Sequence, residues 1–307
     1  MRPLRDGRHR TDGEAAMSEP GSVDYLARDG RAYITLNRPA KKNAMSNAMW
    51  RQLMACYDRA EDEDDVRVVV LRGAGSDFCA GHDLAEVGNQ YDDASVDADG
   101  RRRRPSQRAR LQYDKQYIER FQRIFTFLKP TLTLVQGHCL GGGLYLAESS
   151  DLVIAADDAR LGHPEQKLGL SGAAYLDAWE IMTLGARKAR ELLLLAEVWS
   201  AQEALANGLV NKVVPLAELQ ERGEAWAERI VRLPRDGIAL GKAATNLAMQ
   251  SLGVTNQFGY GHVMHALATN MRWEPGEFNF MKERRVKGVR AMNHEREAFY
   301  EVERKPD

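Results

Sequence analysis

At 307 residues the chain is long enough for one large domain with an appendage. Charged residues make up 28% and hydrophobic ones 44%, the balance of a soluble globular protein, and a net charge of −1 sets up no global field toward nucleic acid or an acidic membrane. No uninterrupted apolar run reaches the ~18 residues that span a bilayer.

Residues 1–20 are polar and Arg-rich, with no apolar signal-peptide centre. They are expected to be a disordered extension, with translation starting at Met1 or Met17. Arg31 to Asn37 alternates like a half-buried strand and ends at Asn37-Arg38-Pro39, a turn signal. Asn47 to Ala60 places Met49, Leu53 and Cys56 at helical spacing. Val66 to Leu71 reads as the next strand. The polar stretch 88–112, rich in Asp and Arg, is expected to be a mobile surface insertion. Tyr113, Tyr117, Phe121, Ile124 and Leu128 then recur at spacings of three and four, which predicts a helix. Strands are expected over Thr131 to Gln136 and Asp151 to Ala155, with a short apolar helix after Gly143. Ala201 to Pro215 reads as helix, glycine cap and short strand. From Leu216 onward the pattern is helical, interrupted by Pro234 and Pro275. Alternating strands and helices give an α/β fold. Cys56, Cys79 and Cys139 show no CxxC spacing, as expected of small buried side chains in a reducing cytosol.

Two glycine-rich junctions carry the chemistry. Gly141-Gly142-Gly143 stands between an apolar strand and an apolar helix. Glycines there let backbone approach a ligand, with N–H groups free to hold an anion that forms during a reaction. A tight strand-to-helix turn would use the same residues. Val68 to Leu71 runs into a second such loop, Gly73 to Leu84, so two loops can give one N–H each to a shared oxygen.

Five segments in order carry a resemblance. They are Asn37 to Met45 (NRPAKKNAM), Phe78 to Leu84 (FCAGHDL), Gly137 to Gly143 (GHCLGGG), Ser150 to Ala156 (SDLVIAA) and Leu161 to Leu170 (LGHPEQKLGL). With these the chain resembles the crotonase family, also called the enoyl-CoA hydratase/isomerase superfamily, over roughly Tyr25 to Val214. The resemblance implies a crotonase-like spiral of repeated ββα units over 21–214 and a C-terminal helical region over 215–307. It implies an acyl-CoA substrate, no cofactor beyond the coenzyme A that the substrate carries, no metal, and a cytoplasmic homotrimer or dimer of trimers. It places the backbone N–H groups of His82 and Gly142 as an oxyanion hole for a thioester enolate, and Glu165 as acid/base. It places Arg38, Lys42, Ala80 and Asp83 at the coenzyme A, with Lys41 beside them.

The chain departs from the family at Tyr145. Typical hydratases carry glutamate two residues after the glycine triplet and use two carboxylates to align one water. Tyrosine, with a reference pKa near 10, is a poor base and a good hydrogen-bond donor. Tyr145 is therefore expected to line the site and donate a hydrogen bond, which favours enolate chemistry other than hydration. A space-filling core role would fit the same residue. Leu170 to Asp177 also departs, which suggests a reshaped pocket floor with Tyr175 or Asp177 near substrate. His138 and His163 flank the motifs without metal-ligand spacing. Carbon–carbon bond hydrolysis, decarboxylation or dehydration of an acyl-CoA, and non-catalytic acyl-CoA binding, remain open. A dinucleotide fingerprint fails at Phe78, the third glycine position. No GxSxG elbow or P-loop lysine is present. Arg101 to Arg104 reads as a solvated loop offset by Asp92, Asp93, Asp97 and Asp99, so no nucleic-acid partner is expected.

Overall fold

The computed structural model describes residues 21–87, 105–170, 176–268 and 272–301. The arginine run at 101–104 and Tyr175 lie outside them.

The first hairpin joins β1 (Ser22–Arg28) to β2 (Arg31–Asn37), antiparallel through Asp29 and Gly30. After a short turn comes helix α1 (Asn47–Asp62), capped by Ser46, whose hydroxyl accepts from the Met49 N–H. Strand β3 (Val68–Gly73) follows. Ser106 caps α2 (Gln107–Phe125) in the same way. The chain continues through β4 (Thr131–Val135), β5 (His138–Leu140), α3 (Gly142–Glu148), β6 (Leu152–Ala156) and β7 (Arg160–Gly162). Next come α4 (Asp177–Leu184), α5 (Ala186–Leu194), β8 (Val198–Ser200), α6 (Ala201–Ala206) and β9 (Lys212–Val214). Four helices close the chain: α7 (Leu219–Val231), α8 (Arg235–Ser251), α9 (Asn256–Ala268) and α10 (Phe280–Tyr300).

The strands form a six-stranded sheet in the order β1-β2-β3-β4-β6-β9, parallel from β2 onward, and a three-stranded sheet β5-β7-β8. The larger sheet is buried on both faces, as parallel sheets are. In β3, Val69 and Leu71 point into the main core with α1 and α2, while Val68 and Val70 point into a second core. Leu219 and Ala227 of α7 close that second core. The C-terminal helical region thus begins by covering the sheet. The expected α/β spiral with a helical tail is what the structure shows.

The small sheet positions the glycine loops. Strand β5 pairs with β7, and isolated bridges join Cys79 to Cys139 and Met45 to His82. The loop after β3 is thereby laid against the strand that feeds the triplet. All three cysteines are free and buried, and burial pushes the Cys79 thiol up to about 12, so it stays protonated.

Candidate active site

The two loops meet at contact distance. A Cβ on Gly142 would stand 2.4 Å from His82 Nδ1, and one on Gly81 would stand 3.3 Å from the Gly142 nitrogen. Among the described residues, neither the His82 nor the Gly142 N–H donates to a protein acceptor. The neighbouring amides do: Gly141 N donates to Gly162 O at 2.9 Å and Asp83 N to Met45 O at 3.0 Å. Two adjacent donors without protein acceptors face a cavity of about 1190 Å³, large enough for an extended ligand.

Glu165 stands on the same wall. Pro164 opens the short helical turn that carries it, and Gly141, at φ +51°, leaves room for its carboxylate. A Cβ at Gly141 would lie 2.7 Å from Glu165 Oε1. Asp83, Glu86 and Glu297 also line the cavity. Each is held by protein partners: Asp83 by Arg38, Glu86 by the Asn47 N–H, Glu297 by Lys167 and Arg296. Glu165 is the carboxylate beside the two loops.

Tyr145 lies elsewhere than expected. It is 1% exposed, does not line the cavity, and stacks on the His163 ring with centroids 4.4 Å apart. Phe121 meets its other side edge-on. Position 145 is on the inner face of α3, where a large ring fills core volume. Asp177 also stays off the cavity wall. It faces Tyr260 at 3.5 Å, and burial pushes its carboxyl up to about 6. His138 sits between Asp77, at 2.5 Å from Nδ1, and Lys42 Nζ, at 3.1 Å from Nε2.

Of the residues placed at coenzyme A, Arg38, Lys41, Lys42, Ala80 and Asp83 all line the cavity. The Arg38 guanidinium is buried, pairs with Asp83 at 2.7 Å and donates to the Ala44 carbonyl. It braces the first motif against the second. Asn43 strengthens that brace by accepting from the Arg38 N–H and donating to the carbonyls of Ala74 and Asp77. Lys41 and Lys42 remain as cations at the rim. Arg290, on α10, adds another from the C-terminal region.

Sequence reasoning missed the far wall. Trp50, Tyr113, Tyr117 and His265 line it, and the ring of His82 packs against Trp50 and Tyr117. His265 Nδ1 lies 3.0 Å from the buried Asp114 carboxylate. Arg110, read as part of a solvated stretch, is buried and lines the cavity. The spacing of three and four on α2 was the available signal, since Tyr113, Asp114 and Tyr117 share one face. Two further carboxyl groups were also missed. Glu148 and Glu180 are buried against His163, with its Nε2 at 3.5 Å and 2.8 Å from their oxygens.

A family model described as enoyl-CoA hydratase/isomerase matches residues 27–285. EchA13 of Mycobacterium tuberculosis, whose enoyl-CoA hydratase name is provisional, is 35% identical over 262 residues, 80% of each chain. A Thermus thermophilus protein with the same provisional name is 33% identical over 227 residues, 74% of this chain and 84% of its own. Among solved structures, an enoyl-CoA hydratase/isomerase from Xanthobacter autotrophicus superposes with a TM-score of 0.77 at 29% identity. The match covers 91% of this chain and 98% of that one. An enoyl-CoA hydratase from Mycobacterium smegmatis gives 0.77 at 28% identity, covering 90% and 93%.

Proposed function

Because the chain belongs to the enoyl-CoA hydratase/isomerase family, we propose that it acts on an acyl-CoA thioester by way of an enolate. The backbone N–H groups of His82 and Gly142 receive the thioester oxygen. Glu165 takes a proton from the carbon beside the carbonyl, and negative charge develops on that oxygen as it leaves. Each fixed donor aimed at this charge stabilises the transition state by about 3 kcal/mol. Glu165 then returns the proton at another carbon. The chemistry asks for no group beyond the coenzyme A of the substrate, whose phosphates meet Lys41, Lys42 and Arg290 at the rim.

The observation that carries this reading is Glu165 packed over Gly141, beside two N–H groups without protein acceptors. Hydration is the less favoured branch. A second carboxylate would have to share the water, and the family's usual position for it holds a buried tyrosine.

A panel of acyl-CoA thioesters tests the proposal, read by thermal shift for binding and by mass spectrometry for turnover. The expected result is stabilisation by several thioesters, turnover of a subset, and a rate on crotonyl-CoA far below that of a two-glutamate hydratase. No shift with any thioester, in folded protein at saturating ligand, overturns it.

A further inference from the structure

The His163 ring is fully enclosed. Its Nε2 stands 2.8 Å from Glu180 Oε1 and 3.5 Å from Glu148 Oε2, and its Nδ1 stands 3.7 Å from Glu165 Oε2. Tyr145 covers one face. These groups come from three elements: Tyr145 and Glu148 from α3, Glu180 from the first turn of α4, and Glu165 from the turn after Pro164. The buried Cys139 thiol of β5, held protonated, lies near Glu148.

We propose that His163 is a positioning residue for Glu165: Glu180 and Glu148 clamp its Nε2 edge, Tyr145 fixes its plane, and its Nδ1 edge orients the reacting carboxylate. The inference rests on the reading of Glu165 given above. Glu148 and Glu180 then matter to the reaction without touching substrate. Tyr145 and Glu148 are three positions apart on α3, so one short helix supplies both the stack and part of the clamp. The tyrosine that replaces the usual glutamate is thereby part of the support for the glutamate that remains.

The charges of these groups fit this arrangement. With all four groups ionised, three negative charges and one positive would share a closed space. Burying that excess is costly, and a proton is kept instead. Burial first, and the Glu180 charge second, push the Glu148 carboxyl upward. Burial alone would discharge the His163 ring, but Glu180 and the other two carboxyl groups outweigh it and hold the ring well above its ordinary range. The ring is thereby held as an imidazolium with one N–H on each edge, and Glu148 keeps a proton. Glu148, His163 and Glu180 also bring possible ligand atoms within 4.8 Å of one another, as a metal site would. Nε2 and Oε1 stand 2.8 Å apart, in contact as an ion pair, although the ring N–H is not aimed along that line.

The test uses the whole chain and the acyl-CoA that the panel finds to be turned over. In His163→Gln, kcat should fall about 10²-fold, because the base loses its orientation. KM should stay within about threefold, because the ring does not touch substrate. Glu180→Gln should lose less, and Glu180→Asp should recover part of that loss. Unchanged kcat in folded His163→Gln, or a loss confined to KM, overturns the proposal. A second arm needs no turnover. Nitrogen-15 NMR of histidine-labelled wild-type protein should show one of the seven rings still doubly protonated at about pH 8. That signal should move in Glu165→Gln. A neutral ring, or one indifferent to Glu165→Gln, overturns the proposal. So does a stoichiometric divalent ion that survives dialysis against chelator. If no thioester is turned over, the reading of Glu165 as base fails, and the NMR arm still decides whether His163 holds that carboxylate.

Discussion

Glu165 reaches the cavity wall because Gly141 has no side chain to exclude it. Glu165→Gln keeps the shape and removes proton transfer. Turnover should fall roughly 10²- to 10⁴-fold, while calorimetry still shows acyl-CoA binding. Near-normal turnover would move the base to another residue. His82 gives a pH prediction. Burial first, then the charges of His265 and Arg120, push its imidazole down to about 3 from 6.5. Between those values the unfolded chain binds a proton that the folded one does not. The stability this group contributes is therefore complete above 6.5 and lost as pH falls toward 3. Melting curves from neutral to acid pH should show Tm falling more steeply in wild type than in His82→Met. Equal slopes would show that the ring is solvated enough to charge. Tyr145→Glu, which restores the family's usual side chain, should not restore hydration. It would place another carboxylate in the closed space around His163 and leave a void beside Phe121. The expected cost is about 3 kcal/mol or more, seen as a lower Tm with no gain on crotonyl-CoA. A faster, equally stable variant would show that the core around His163 can open to water.

At the scale of elements, the site is built where β3 and β5 hand the chain to glycine loops, and the bridge from Cys79 to Cys139 of β5 ties the two together. The glycines divide by what surrounds them. A Cβ on Gly143 would stand 2.3 Å from the backbone oxygen of Cys79, which cannot turn away. A Cβ on Gly142 would meet the end of the His82 side chain. Gly143→Ala should therefore lower Tm by an amount typical of core overpacking, about 1–3 kcal/mol. Gly142→Ala should cost less stability and more activity, because the displaced imidazole lies against the two N–H groups proposed to hold the thioester oxygen. Denaturation and turnover measured on both variants separate the two effects; the reverse order would misplace the hole. Strands β2, β3, β4 and β6 and helices α1 and α2 were legible in sequence, because each has alternation, a continuous apolar run or a clear spacing of three and four. Strands β5, β7 and β8 were not. Each is three residues long and exists through pairing with segments far away in sequence. The same limit hid Glu148 and Glu180. The motifs gave the loops and Glu165, but which buried groups converge on His163 is decided by how α3 and α4 pack.

Across the whole molecule, the C-terminal helices bury little. Helix α8 runs for 17 residues, yet Lys242 is its only buried residue. Leu240 and Leu247 are 71% and 63% exposed, and they lie seven residues apart on one face. Leu194, Leu195 and Leu267 are similarly open, at 67%, 63% and 60%. Exposed leucines of this kind are what an interface with another chain would bury. The family resemblance implies that such a partner is a second copy of this chain, in trimers or paired trimers. Analytical ultracentrifugation should therefore find three or six copies of the 34.4 kDa chain. A double variant, Leu240→Arg with Leu247→Arg, should lower that mass while the far-ultraviolet circular dichroism stays helical. The two leucines lie on a face that the monomer's own core does not use, so folding should survive their loss. A wild-type monomer at micromolar concentration would show that these leucines serve no assembly. Unchanged mass in the double variant would move the interface off α8 to the open faces of α5 and α9.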